Sequence, residues 1–470
     1  MKKISVVILS CLILCGVAVT AQLRLPAVIS SNMVLQQQDS VALWGWASPS
    51  EKIVVTPSWG TKTDTVVTDN GARWRLKIKT PAAGGPFTIK IAGSSTILLE
   101  NVMVGEVWIC SGQSNMELST RNGEKDMLTE LDSCAGNNLH FFQVTRTTSG
   151  YPQDDLPGKW MSCDSNVLKS FSAVGYFFGK RLNQALHVPI GLINSSWGGT
   201  PAETWTPDSL VSGNEELKVA AAQAKPSKYW PDKPGYAYNA MIAPLTNYSI
   251  AGAIWYQGES NTGTNRTYTK LFTTMIDGWR SAWKKEFPFY YVQIAPYKYG
   301  SKNIGALLQE AQTRAMSHSR VGMVVITDLI DSVTNIHPSH KREVGNRLAG
   351  WALAENYKVN GPEYISPVFS GATPRKGALV LSFTHTGGIL QARGGAVRGF
   401  YVSGADQQWV PATAKIEKDK IIVSSKQVPE PVYVRFGFSN TETGNVFSAG
   451  GLPLTPFRSD NWLVDESADK

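Results

Sequence analysis

The sequence predicts an α/β protein: an open parallel sheet covered by helices on both faces, with a β-rich region on either side in the chain. Three observations carry this. Continuous apolar runs at 104–109, 190–193, 251–255, 289–294 and 321–326 suit parallel strands buried on both faces. Segments 173–186, 267–284, 305–317 and 341–356 alternate with them and carry apolar residues at three- and four-residue spacing, the mark of amphipathic helices. Before residue 100 and after about 360 the pattern shortens to β-rich stretches broken by Gly, Pro, Asp and Asn.

The elements follow in chain order. Residues 1–21 begin with Lys2 and Lys3, run apolar to about Val19, and end on the small residues Val19-Thr20-Ala21. This is the pattern of a cleaved secretory signal, so Gln22 is expected to start the mature chain, destined for the periplasm or the exterior. Residues 22–100 read as a small β-sandwich-like domain with strands at 41–46, 53–56, 63–67, 74–78 and 87–91. Residues 101–360 hold the strand–helix alternation of a catalytic domain. Residues 361–470 form a second β-rich region, with strands at 378–383, 420–424 and 433–438.

Composition narrows the class. Of 470 residues, 42% are hydrophobic and 17% charged, which excludes intrinsic disorder. Without Lys2 and Lys3 the 45 basic residues become 43 against 37 acidic ones, a net charge of +6 spread without a basic block. That is no nucleic-acid footprint. Beyond Cys11 and Cys15 of the leader, three cysteines remain. Cys134 and Cys163 could pair, whereas Cys110 closes an apolar run and reads as a small buried hydrophobe. Fifteen Trp, 16 Tyr and 16 Phe would suit sugar rings, although aromatic residues mostly fill cores.

Three expected strand ends carry polar clusters, and in an open parallel sheet the carboxyl edge is where active residues gather. The first is Cys110-Ser111-Gly112-Gln113-Ser114-Asn115, where a glycine lets the chain turn and project Ser114 as a nucleophile. The bland alternative is a helix N-cap at Ser111 or Ser114. The second, Asn194 to Glu203, contains Trp197-Gly198-Gly199, whose backbone can approach an oxyanion closely. The third, Trp255-Tyr256-Gln257-Gly258-Glu259-Ser260-Asn261, offers an amide donor in Gln257 and a carboxylate in Glu259 able to orient a histidine. Of the six histidines, His337 stands before Pro338 at the same predicted edge, with His340 as its competitor.

Together, Gly112-Gln113-Ser114-Asn115-Met116, the 255–261 block, and Ile336-His337-Pro338 with Lys341 and 345–349 resemble the sialate O-acetylesterases. These are carbohydrate esterases of the SGNH-hydrolase superfamily. The resemblance runs from about Leu23 to the 451–458 tail. It implies a flavodoxin-like three-layer α/β/α domain, Ser114 as nucleophile and His337 as general base. Many SGNH hydrolases carry the triad acid three residues before the histidine; here that residue is Thr334, which cannot serve. Glu259 is the first candidate, because related acetylxylan esterases use the glutamate of this block. Asp331 and Asp328 are alternatives, as is a Ser–His dyad supported by a backbone carbonyl.

The expected chemistry is acyl transfer without a metal or an organic cofactor. The oxyanion would be held by the N–H groups of Ser114 and Gly199 and by the Gln257 side chain. The substrate would be an O-acetylated sugar, sialic acid first and an acetylated xylan or mannan second. Trp197 and Tyr256 are the expected sugar contacts, with Trp205 and Trp255 also flanking the site. Arg121, Arg266 and Arg314 are candidate partners for a sugar carboxylate. The rival readings are a carbohydrate-binding protein with an inactive hydrolase fold, and a lipase or thioesterase on the same scaffold. The intact polar clusters speak against the first. The lack of a long apolar lid segment after the serine speaks against the second. Neither nucleic acid nor stable membrane insertion is expected, and the oligomeric state is left open.

Overall fold

The computed structural model describes residues 22–136, 138–224 and 226–468. The expected leader at 1–21 lies outside the described residues. Seven strands form the path that builds the site: β1 (Thr96–Gly112), β2 (Leu139–Gln143), β3 (Trp160–Ser162), β4 (Ile190–Ser196), β5 (Gly252–Tyr256), β6 (Phe289–Val292) and β7 (Val321–Val324). Their order is β7-β6-β5-β1-β4-β2-β3, parallel at every pairing except the last, where β2 and β3 run antiparallel. Five helices matter here: α1 (Ser114–Glu117), α2 (Ala173–Leu186), α3 (Asn265–Trp283), α4 (Ile304–Arg314) and α5 (Lys341–Trp351). Among the described residues, no helix is long and apolar enough to cross a membrane.

Both faces of the sheet are buried, which is why most of its parallel strands carry continuous apolar runs. Because side chains alternate along a strand, Trp108 and Cys110 of β1 join one core and Val107 and Ile109 the other. The first core takes Val174, Phe178 and Leu182 from α2 and Val344 and Leu348 from α5. The second takes Leu271, Phe272, Met275 and Trp279 from α3 and Leu308 from α4. This is the expected three-layer α/β/α arrangement. Helix α2 keeps its predicted bounds, with Ser172 capping it by accepting from the Gly175 N–H at 2.9 Å.

The N-terminal strands appear where the pattern put them: Ser40–Trp46 pairs with Arg73–Lys79, and Lys52–Pro57 lies between Asp64–Val67 and Gly84–Ala92. The boundary expected at residue 100, however, falls inside β1. The first half of this 17-residue strand pairs antiparallel with Gly84–Ala92, and its second half is the centre of the parallel sheet. The hydrophobic core is likewise shared, running from Leu23 and Ile53 through Val102 to Trp255 and Val325. The C-terminal region differs, since its two four-stranded antiparallel sheets enclose a core of their own. Leu381, Val402, Ile421, Val434 and Phe436 lie in it. Cys110, Cys134 and Cys163 are buried free thiols, so Cys134 and Cys163 are not disulfide-linked, and the Cys134 thiol donates to the Leu131 carbonyl at 3.4 Å.

Candidate active site

The end of β1 is a sharp turn that only glycine allows. Gly112 has φ +132°, and a Cβ there would lie 2.2 Å from the Tyr256 carbonyl oxygen. That close approach locks β1 to β5: the Gln113 N–H donates to the Tyr256 carbonyl (3.0 Å), while the Gly112 carbonyl accepts from the Trp197 N–H (3.0 Å). All three polar clusters therefore meet at one edge of the sheet. Gln113 is the N-cap of α1 but makes no side-chain cap bond; its Oε1 instead accepts from the N–H groups of Gly258 and Ser260, each at 3.3 Å. Ser114 opens the helix without capping it, which leaves its hydroxyl free for another partner.

That partner is His337. Its Nε2 lies 2.9 Å from Ser114 Oγ, across 223 residues of chain. The His337 N–H donates to Asn335 Oδ1 at 3.0 Å, fixing the turn that carries the ring. Burial, then the positive charge of Lys341, holds the imidazole below its ordinary range, so it is neutral and able to accept a proton. His340, the competitor, instead faces Asp331 at 3.6 Å.

None of the three carboxylates expected to complete a triad reaches His337. Glu259 Oε1 accepts from Asn115 Nδ2 at 2.6 Å, and its Oε2 is buried without a partner. Asp331 accepts from the backbone N–H and the hydroxyl of Ser339 (2.8 and 2.7 Å). Asp328 is clamped bidentately by Arg347 (2.8 and 2.6 Å). Among the described residues, histidine ion pairs occur at His318 and His340 but not at His337. The expectation of Glu259 as an acid against the imidazole is therefore corrected: the block ending in Glu259 reaches the histidine loop through an intermediary.

The intermediary is Asn115, 1% exposed and next to Ser114. Its Nδ2 donates to Glu259 and also to the Ile336 carbonyl (3.0 Å), one residue before His337, while its Oδ1 accepts from Lys341 Nζ (2.7 Å). One amide thus ties together the serine turn, the glutamate loop and the start of α5. Lys341 is fully buried, and burial pulls its ammonium down to about 8. Burial also raises Glu259, and lifts Glu124, the carboxylate that acts most strongly on Lys341, to about 7. Asn115 and Lys341 stood inside the recognised motifs without a role; the signal was their polarity beside apolar helix and strand ends.

Two further expectations need correction. Gln257 is fully buried and its amide is committed, with Nε2 donating to Asn261 Oδ1 (2.7 Å) and the Thr200 carbonyl (3.3 Å) and Oε1 accepting from Tyr268 (3.0 Å). It braces the loop and does not face an oxyanion. Tyr256 is likewise fully buried, its ring 5.5 Å from Lys341 Nζ, and cannot stack on a sugar. Trp205 and Trp255 are core residues too. Trp197 is partly exposed; its indole N–H donates to the Tyr229 carbonyl, and Arg146 sits 5.9 Å over its ring.

The Ser114 and Gly199 N–H groups have no protein acceptor among the described residues. Gly198 brings the second loop against Ser114: a Cβ there would lie 3.3 Å from Ser114 Cβ, and its N–H donates to Glu117 Oε2 at 2.8 Å. Gly199, at φ +83°, carries the Trp230 ring so close that a Cβ would sit 2.4 Å from it. Trp230 lies in a stretch without periodicity and gave no sequence signal.

With this geometry in view, the comparisons are specific. Residues 104–354 match the family model described as carbohydrate esterase, sialic acid-specific acetylesterase. The chain is 30% identical over 425 residues to a sialate O-acetylesterase of Mus musculus, covering 76% of this chain and 77% of that protein. It is also 30% identical to the Homo sapiens sialate O-acetylesterase, over 75% and 74% of the two chains. A crystal structure of a carbohydrate acetylesterase from Xanthomonas citri superposes with a TM-score of 0.85 at 35% identity, covering 94% of this chain and all of that one.

Proposed function

The chain belongs to the sialic acid-specific acetylesterase family of carbohydrate esterases, and from that premise we propose that it removes O-acetyl groups from sugars through an acyl-enzyme on Ser114. The observation that carries this is the 2.9 Å contact between Ser114 Oγ and His337 Nε2 at the carboxyl edge of the sheet. His337 takes the hydroxyl proton as Oγ attacks the acetyl carbonyl. The Ser114 and Gly199 N–H groups receive the oxyanion. The protonated imidazole then gives its proton to the departing sugar hydroxyl. Water enters, His337 deprotonates it, and acetate leaves. Among the described residues no carboxylate is bonded to the imidazole, so serine and histidine act as a dyad, the ring being placed by Asn335 and by the Asn115–Ile336 bond. The test is capture of the intermediate. Brief reaction with p-nitrophenyl acetate, followed by acid quench, should leave one acetyl group on the peptide containing Ser114. Turnover without any acetylated Ser114 peptide would refute the assignment.

Sialic acid is the substrate that the mouse and human relatives' names give. An acetylated plant polysaccharide is the second reading. It is favoured because two of the three arginines weighed as carboxylate partners are already engaged, Arg266 with Glu466 and Arg314 with Glu310. We propose also that the chain is exported by its first 21 residues. A mature N-terminus at Gln22, read by mass spectrometry of protein secreted by the native host, tests this; retention of Met1 would overturn it.

A further inference from the structure

Beside the serine, on the far side of the Gly199 loop, lies a cavity of about 350 Å³, within the range of small-molecule sites. Gly199, Glu203, Trp230, Asp232, Ser260 and Asn261 line it. We propose that it is the subsite for a neutral, hydroxyl-rich sugar ring of an acetylated oligosaccharide, and that it disfavours a sugar bearing a carboxylate. This rests on the reading of Ser114 as the nucleophile.

Position comes first. The cavity shares the backbone of the oxyanion loop: Ser260 Oγ donates to the Gly199 carbonyl at 2.9 Å, and Gly198, the adjoining residue, abuts Ser114. Neither Ser114 nor His337 lines the cavity, so a ring held here would present its acetyl group past Gly198 and Gly199 toward the serine. Chemistry comes second. The Trp230 ring is packed on Gly199 and partly exposed, a fixed aromatic face of the kind that takes the C–H face of a pyranose. Tyr229, at 6.2 Å from Trp230, is held by its backbone carbonyl to the Trp197 indole N–H, which ties both rings to the second loop.

Charge decides the class of sugar. The ionisable side chains lining the cavity are Glu203 and Asp232, and no described Lys or Arg lines it. Glu203 is 2% exposed and accepts from Asn261 Nδ2 at 2.8 Å; Asp232 is partly exposed and its carboxylate is unpaired among the described ion pairs. Burial raises the Glu203 carboxyl, so the charge rests on the partly exposed Asp232; a carboxylate beside an aromatic ring accepts hydroxyl hydrogens well and repels an anion. Two cations stand near the serine loops, and both are engaged away from the cavity: Arg146 pairs with Glu117 and Lys341 is buried on Asn115.

The test compares kcat/KM of the full chain on p-nitrophenyl acetate, an acetylated xylo-oligosaccharide and 9-O-acetylsialic acid. Two variants are compared with wild type. For Trp230→Ala, the ratio of oligosaccharide to p-nitrophenyl acetate should fall about tenfold or more, the scale of one lost aromatic contact. For Asp232→Lys, the preference for 9-O-acetylsialic acid over the oligosaccharide should rise about tenfold. Ratios unchanged within about twofold in both variants would overturn the subsite while leaving the esterase intact. So would a wild-type preference for 9-O-acetylsialic acid. Absence of p-nitrophenyl acetate turnover by folded wild type would instead overturn the esterase reading beneath it.

Discussion

Replacing Asn115 with alanine tests the architecture of the site more sharply than replacing a reacting group. The side chain is buried and makes three hydrogen bonds, to Glu259 at 2.6 Å, to the Ile336 carbonyl at 3.0 Å and from Lys341 at 2.7 Å. Its loss leaves a carbonyl, a carboxyl group and an ammonium short of partners in the interior. A hydrogen bond to a charged group contributes about 1.5–3 kcal/mol and one to a neutral group about 1. Lys341 and Glu259 can move toward each other and recover part of this, so a net loss of about 3–5 kcal/mol is expected. For a domain of this size, roughly 2–4 °C per kcal/mol, Tm should drop by about 6–20 °C. The kinetic effect has a separate cause. Freeing the Ile336 carbonyl loosens the residue that carries the imidazole, and a displacement of about 1 Å is worth on the order of 10² in rate. We expect kcat on p-nitrophenyl acetate to fall about 10- to 100-fold with KM nearly constant, since Asn115 is sealed from substrate. Asn115→Asp should not rescue kcat, because a carboxylate faces Glu259 and cannot donate to Ile336. The reasoning is refuted if Asn115→Ala keeps kcat within about threefold and Tm within about 2 °C.

Other expectations follow from single contacts. Ser114→Ala should abolish acetyl capture and lower kcat by about 10⁴ or more, measured on p-nitrophenyl acetate; a smaller loss would mean a different nucleophile. The acid limb of kcat/KM should lie below the ordinary imidazole value of 6.5, and Lys341→Met should move it upward by removing the positive charge near His337; a downward move would contradict the electrostatic assignment. Glu124 holds its proton to about pH 7 in the fold but only to about 4.5 when unfolded, so its burial destabilises fully above pH 7 and not below 4.5. Glu124→Gln should therefore raise stability at pH 8 by up to about 3 kcal/mol, with the gain vanishing toward pH 4.5 in thermal melts. Gly112→Ala should cost about 3–5 kcal/mol, because the added methyl meets a backbone oxygen at 2.2 Å; a Tm close to wild type would show that the strand ends can part.

Much of this arrangement is legible in the sequence because burial on two faces leaves a plain trace. Strands β5 to β7 and the first four residues of β4 are unbroken apolar runs, and α2 keeps its predicted limits. Strand β2 escaped because His140 and Gln143 interrupt its apolar run. His140 is nonetheless buried, its Nδ1 2.6 Å from the Asn32 carbonyl, a partner supplied from more than a hundred residues away. The serine and histidine were legible as types at one sheet edge. The direction of a side chain at the end of a strand was not. Tyr256 and Gln257 sit beside the site in sequence, yet both are fully buried within it. Glu259 was expected to meet the imidazole, but the partner that intercepts it, Asn115, lies 144 residues away. Such contacts are set by tertiary packing and leave no periodicity behind.

The unbroken run of β1 limits how this protein can be taken apart. Its 17 residues begin in the N-terminal sheet and end two positions before Ser114. A cut or a recombination joint near residue 100 would split a continuous ladder, strand unpaired backbone in two sheets and open one shared core to water. The N-terminal region is thus no detachable accessory, and homologous exchange at that point should yield insoluble chains. Near residue 360 the situation is reversed: the sheets beyond it close on their own apolar interior. Modularity in this chain therefore runs one way: a C-terminal swap keeps its own core but must preserve the polar seam of Arg458 with Glu310 and of Asn440 with Gly305, whereas the Ser114 hydroxyl is inherited together with everything that precedes it.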